Sequence, residues 1–157
     1  MAAKQAKTLS VVVNGWSLYG HACFVEQYTA LLQQVEALKQ SQPDTYQNKN
    51  ATKRLAAIHK LVFEVIPQDP TRPEYRQGTT LGDDYKHWFR AKFFQQYRLF
   101  FRYHEPSKTI VYAWVNDEHS KRAYGSKTDA YRVFEKMLQS GRPPDDWQAL
   151  MADIDKG

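Results

Sequence analysis

Cysteine is almost missing from this chain. Cys23 stands alone among 157 residues, so no internal disulfide can form and the sequence suits a reducing compartment. Long apolar runs are missing too. Nothing approaches the ~20 residues of a membrane span. After the basic residues within Met1–Ser10, the apolar run is only Val11–Val13, too short for a signal peptide. A cytoplasmic protein with no membrane partner is expected. The chain also has no glycine-rich phosphate loop, no paired-cysteine zinc spacing, no His-Glu-x-x-His and no Gly-x-Ser-x-Gly. Its five histidines, His21, His59, His87, His104 and His119, are scattered. No metal site and no cofactor are expected. There is no internal repeat or low-complexity tract, and residues 1–157 suit one domain with a loose terminus over residues 1–7.

Aromatic residues and positive charge are abundant, and they coincide. The chain has ten Tyr, eight Phe and four Trp, with a net charge of +5. Between Lys86 and Arg132 ten basic residues face four acidic ones, a local +6, so the basicity belongs to one segment. Such a balance suits a nucleic-acid or acidic-protein partner. Successive strand residues point to opposite faces. Over Tyr97–Tyr103, Tyr97, Leu99, Phe101 and Tyr103 therefore share one face, and Arg98, Phe100 and Arg102 share the other. In the preceding run Arg90, Lys92 and Phe94 share a face. A hairpin through Gln95–Gln96 then gathers four cations, Arg90, Lys92, Arg98 and Arg102, with the rings of Phe94 and Phe100. A phosphate backbone with stacking bases fits that surface. Antiparallel sheets commonly keep one wet face, so a plain solvated surface is the competing reading.

The remaining elements follow from periodicity. Thr8–Val13 reads as a strand closed by Asn14–Gly15. Trp16, Leu18, Tyr19, His21 and Phe24 read as apolar packing that leads into a helix over residues 22–39. Asp44 is placed to cap a second helix carrying Ala51, Leu55, Ile58, Val62 and Val65, with Lys53 and Arg54 off its buried stripe and Pro67 ending it. A proline- and glycine-rich loop over residues 67–84 follows. Strands are expected over Trp88–Phe94, Tyr97–Tyr103 and Thr109–Val115. A helix over Thr128–Gln139, capped by Gly141, and a short one over Asp145–Ile154 complete the chain. The fold class is α+β: a mostly antiparallel sheet packed on one face by a helical hairpin, with a C-terminal helix. The other face is left to the cations.

Six stretches carry a resemblance: Asn14–Phe24 (NGWSLYGHACF), Ala51–Lys60 (ATKRLAAIHK), Tyr97–Tyr103 (YRLFFRY), Trp114–Glu118 (WVNDE), Tyr124–Tyr131 (YGSKTDAY) and Gly141–Trp147 (GRPPDDW). Together they resemble the YhaV toxins of bacterial type II toxin–antitoxin systems, a branch of the RelE/ParE-like superfamily. The resemblance implies a RelE-like fold and an mRNA endoribonuclease that inhibits translation and growth. It also implies neutralisation by a PrlF-type antitoxin, action on mRNA at the ribosome, and operator DNA bound only as a complex with that antitoxin. In the superfamily the catalytic set comprises Lys and Arg residues on the strands and a Tyr after the last strand. The strand Arg matches Arg98. With one residue fewer in the turn, the preceding basic pair matches Arg90 and Lys92. The Tyr matches Tyr124. The second catalytic Arg departs from the pattern: its position falls near Glu118, and Arg122 is a displaced substitute.

The chemistry fits those residue types without a metal. Arg98 and Arg102 are expected to hold the scissile phosphate through bidentate guanidinium geometry. Arg90 and Lys92 bind backbone or take part in proton transfer. Tyr124 stacks on a base or aligns the nucleophile. Arg122 and Lys127 are secondary phosphate contacts, and Phe94 and Phe100 are stacking rings. Asp117, Glu118 and His119 are candidates for base, with Asp117 or Glu118 alternatively orienting Arg122. Three other functions stay open: a ParE-like gyrase inhibitor, a non-enzymatic nucleic-acid-binding co-regulator, and an interaction protein with a basic surface.

Overall fold

The computed structural model describes residues 11–123 and 125–156. Its centre is one sheet of β1 (Val11–Val13), β2 (Trp16–Gly20), β3 (Phe89–Phe93), β4 (Tyr97–His104) and β5 (Thr109–Val115), in the order β1-β2-β5-β4-β3. The β2–β5 pair is parallel; the other neighbours are antiparallel. The strand β2 corrects the expectation of packing that leads straight into a helix. Trp16, Leu18 and Gly20 are buried while Ser17 and Tyr19 are half-buried, a period of two that a run of five residues was too short to advertise. Asn14 (φ 51°) and Gly15 (φ 82°) both adopt the left-handed backbone of a two-residue hairpin turn, which folds β2 back on β1.

Helix α1 (Ala22–Ser41) begins at His21, whose Nδ1 accepts from the Cys23 N–H at 3.0 Å. Helix α2 runs over Asn50–Lys60 and continues into a wider turn over Leu61–Val65, where the Tyr112 hydroxyl donates to the Val62 carbonyl at 2.8 Å. Asp44 does not cap α2: a short 3₁₀ turn over Tyr46–Asn48 intervenes and the helix starts six residues later. The two helices pack on one sheet face, burying Phe24, Leu31, Ile58 and Val62 against Leu18, Leu99, Phe101 and Tyr112. This is the expected hairpin.

The opposite face is covered as well, contrary to the expectation that it lies open. Helix α3 (Ala130–Ser140) and helix α4 (Trp147–Lys156) place Phe134, Leu138, Leu150 and Ile154 over Trp88, Phe100, Val111, Ala113 and Trp114. The apolar residues on that face demand the cover. A bulge makes them more numerous than alternation suggests: Phe100 pairs with Trp114 but Phe101 with Tyr112, so Ala113 is the extra residue and lies on the same side as Trp114. Gly141 ends α3 with φ 84° and returns its N–H to the Leu138 carbonyl, as expected. The N-cap of α3 is Asp129, so the helix begins at Ala130, two residues after the expected start at Thr128. In α4 Asp146 accepts from the Ala149 N–H at 3.0 Å. No helix among the described residues is long and apolar enough to cross a membrane.

Candidate active site

The register of the β3–β4 hairpin builds the site. Arg90 stands opposite Phe100 and Lys92 opposite Arg98, so the alternation reading of these cations holds. Arg90 and Arg98 are buried, with Lys92 exposed beside them. The Nε atoms of both arginines donate to one acceptor, the hydroxyl of Tyr131 on α3, at 2.9 and 3.1 Å. Arg90 Nη1 also donates to the Glu74 carbonyl at 2.8 Å, and Arg98 Nη1 to the carbonyls of Gln95 and Tyr97 at 2.8 and 2.9 Å. Among the described residues both guanidiniums are thus held by neutral oxygens alone, and their Nη2 groups carry no hydrogen bond.

Arg122 joins them from the loop after β5. Its Cζ lies 4.7 Å above the Tyr131 ring, and its Nη1 donates to Asp129 Oδ1 at 2.6 Å. That carboxylate is 1% exposed and also accepts the N–H groups of Ala123 and Tyr131. Asn116 ties the loop to the strands: its Oδ1 accepts the Arg98 N–H at 2.7 Å, and its Nδ2 donates to the carbonyls of Gln96 and Ser120. The loop that reads as proline- and glycine-rich supplies Glu74 to Arg90 and brings Thr79 and Thr80 to the wall of a cleft of about 450 Å³, which Arg122, Tyr131 and Arg132 also line. Three guanidiniums thus surround one tyrosine, and of the three Arg122 lines the cleft, together with Arg132, Asp129 and Glu135.

Several expected residues lie elsewhere. Arg102 is on the expected face, but its Cζ sits 5.3 Å from both the Trp88 and Trp147 rings, and its Nη1 donates to the Asp145 carbonyl. Burial pulls its guanidinium below the usual value, against the upward pull of Asp145 and Asp146. Phe100 is fully buried and stacked 4.3 Å from Phe134, so it offers no face to a base; Trp114 stacks on the same pair. The flat apolar surfaces that read as stacking platforms are instead the floor under α3. Phe94 is 52% exposed, yet it belongs to the turn rather than to the strand. Lys127 is exposed ahead of α3. Tyr124 lies outside the described residues.

The carboxylates divide. Burial pushes the Asp117 carboxyl up, but hydrogen bonds from Ser120, Gln27 and the His119 N–H outweigh it and hold it below the usual value. Its oxygens are thereby committed to shaping the loop. Glu118 is exposed, 3.8 Å from Arg54, and His119 is exposed beside it. Neither Asp117 nor Glu118 orients Arg122 in the way the sequence suggests; Asp129, an i+7 partner delivered by the cap of α3, does so. The reading from sequence missed Tyr131 and Arg54. The one signal for Tyr131 was a hydroxyl on the apolar face shared with Phe134 and Leu138. Arg54 looked solvated but is 7% exposed, its Cζ 5.1 Å over the Tyr97 ring.

A family model described as a toxin with endonuclease activity, of a toxin–antitoxin system, the YhaV toxin, matches residues 18–155. Toxin YhaV of Escherichia coli O6:H1 (strain CFT073) is 51% identical over 146 residues, covering 92% of this chain and 95% of the relative. Ribonuclease toxin YhaV of Escherichia coli (strain K12) matches with the same identity and the same coverage. No solved structure matches the chain. With the family model spanning nearly every element described above, and relatives aligned along almost their whole length, the chain belongs to the YhaV family, the toxins with endonuclease activity of toxin–antitoxin systems, and its partner is an antitoxin.

Proposed function

We propose that this toxin cleaves mRNA by promoting attack of a ribose 2′-OH on the adjacent phosphorus. The 2′-oxygen gives up its proton as it attacks. The 5′-oxygen leaves and takes a proton, and a 2′,3′-cyclic phosphate remains. The observation that carries the reading is the convergence of Arg90, Arg98 and Arg122 on Tyr131, with the Nη2 edges of Arg90 and Arg98 unengaged among the described residues. Charge accumulates on the phosphoryl oxygens during attack, and guanidiniums already held in place stabilise it without reorganising. Arg98 and Arg90 take that role. Arg122 assists, kept in position by Asp129. Lys92 and Lys127, both exposed, hold the flanking backbone. Arg102, enclosed by two tryptophans, serves to seat α4. Glu118 and His119 are the groups for proton transfer, and Tyr124 stacks on a base. By analogy of fold, the partner is a PrlF-type antitoxin, the substrate is met on the ribosome, and operator DNA is bound only by the toxin–antitoxin complex; the setting is the cytoplasm.

The test is to incubate the purified protein with mRNA, with and without translating ribosomes, and to map the ends. Discrete cuts are expected. Retention of RNA without cuts would indicate a binder, and an effect on DNA supercoiling alone a gyrase inhibitor. Tyr124→Phe should keep most of the activity and Tyr124→Ala should lose it, if the ring stacks. Equal losses would move the role to the hydroxyl.

A further inference from the structure

A basic cleft lies between the β3–β4 turn and α2. It holds about 290 Å³, at the small end for ligand sites, and is walled by Lys53 and Arg54 of α2, Lys121 of the loop after β5, and Phe94, Gln96 and Tyr97 of the hairpin. Three cations come from two separate elements, and no acidic residue is among the described lining residues. Arg54 forms a fixed floor over Tyr97, while Lys53 and Lys121 are exposed at the mouth.

Phe94 is the unusual feature. Its φ is +46°, followed by Gln95 at +61°, a turn that suits Asn or Gly and disfavours a large side chain. Its ring nevertheless stands out in solvent, 52% exposed, braced edge-on by Phe93 at 5.7 Å. A bulky aromatic held at a position that resists it, with its face open and cations around it, has the make-up of a base-stacking platform. One hydrogen-bonded pair, Gln96 and Arg122, links the linings of the two clefts. The Gln96 carbonyl accepts from the Arg122 main-chain N–H, and the Gln96 side chain, whose Nε2 donates to the Arg122 carbonyl at 3.5 Å, lines the basic cleft.

We propose that this cleft is a nucleotide subsite. It takes one unpaired nucleotide next to the scissile phosphate, with the base on Phe94, the phosphate on Lys53 and Lys121, and the amide of Gln96 reading the base edge. The RNA strand thus crosses the hairpin tip, the cut phosphate on the Tyr131 side and its neighbour on the α2 side. The inference rests on the reading of the protein as a ribonuclease.

The experiment uses the full chain and a single-stranded RNA oligonucleotide with a 2′-deoxyribose at the mapped cut, so that binding is seen without cleavage. Phe94→Asn suits the left-handed backbone and so removes the ring without threatening the fold. It should weaken RNA binding by about 5- to 160-fold, the range of one stacked base, and raise KM more than it lowers kcat. Lys53→Gln with Lys121→Gln should flatten the salt dependence of affinity by about 1.4 log units per log unit of salt, two single-strand contacts. Cut-site preference should shift in Gln96→Ala. Wild-type affinity, salt slope and cut sites in all the folded variants would overturn the subsite while leaving the ribonuclease intact. Variants that keep RNA affinity but no longer bind a PrlF-type antitoxin would assign the cleft to a protein partner, which overturns it too. A wild-type protein that neither binds nor cuts RNA removes the ribonuclease reading itself, and the subsite with it.

Discussion

Arg98 and Arg102 sit four residues apart on one strand and one sheet face, yet their surroundings have little in common. Around Arg98 the partners are neutral oxygens, from Tyr131 and two main-chain carbonyls, and its Nη2 carries no hydrogen bond among the described residues. Around Arg102 two indole rings and the Asp145 carbonyl close in, while His87 and Trp88 hold the Asp145 carboxylate at 2.6 and 2.7 Å. The strand decides which way a side chain points. The element that lands on it decides whether its guanidinium keeps an unengaged edge or is enclosed in packing.

The comparison yields predictions of decreasing size. Arg98→Ala should lower the single-turnover cleavage rate by ~10²–10³, about 3–4 kcal/mol of transition-state stabilisation, with RNA affinity falling far less because Arg90, Arg122 and Lys92 remain. Arg102→Ala, melted and assayed beside it, should lose stability and keep its rate once folded. Equal rate losses in the two folded variants would erase the distinction between the ends of β4.

Tyr131→Phe keeps the ring under Arg122 but takes the acceptor from Arg90 and Arg98. A lost bond to a buried charged group costs about 1.5–3 kcal/mol, so the melting temperature should drop, and kcat should fall with KM little changed. Trp147→Ala removes one wall of the Arg102 sandwich and the stacking partner of His104, 5.5 Å away. A desolvated cation–π contact is worth ~2 kcal/mol, which thermal melts should report with catalysis spared.

The smallest expected effect concerns pH. Burial lowers the His21 imidazole from its ordinary 6.5, partly offset by the upward pull of Asp153 on α4, its hydrogen-bond partner. A histidine harder to protonate in the folded state than in the unfolded chain favours folding above that value and withdraws the contribution as pH falls below it. Melts of wild type should therefore decline more steeply from pH 7 to pH 5 than those of His21→Asn, which can still cap α1.

Much of this was legible in the sequence. The cations of β3 and β4, the helical hairpin and the Gly141 cap follow from periods and turn residues that act locally. The cover over the second face did not. Phe100 and Trp114 show the reason: an exposed stacking ring and a buried core ring have the same spelling, and only the docking of Phe134 distinguishes them. The Ala113 bulge also shifts the alternation without any mark in the sequence. Tyr131 and Asp129 escaped notice because their roles arise 33 and 7 residues from their partners Arg98 and Arg122. Arg54 escaped because a cation beside a helix stripe reads as solvated until an aromatic ring meets it.

The order in which this chain is synthesised gives the parallel β2–β5 pair a further meaning. Ser17 pairs with Thr109, so the β1–β2 hairpin has no place in the sheet until β5 has been made. Pairings of such long range form late and slowly. Tyr131 follows later still. A nascent chain emerging from the ribosome carries Arg90 and Arg98 well before it carries the tyrosine that sets their geometry. By this order the candidate site is assembled only once α3 has been made, after both strands that carry its arginines.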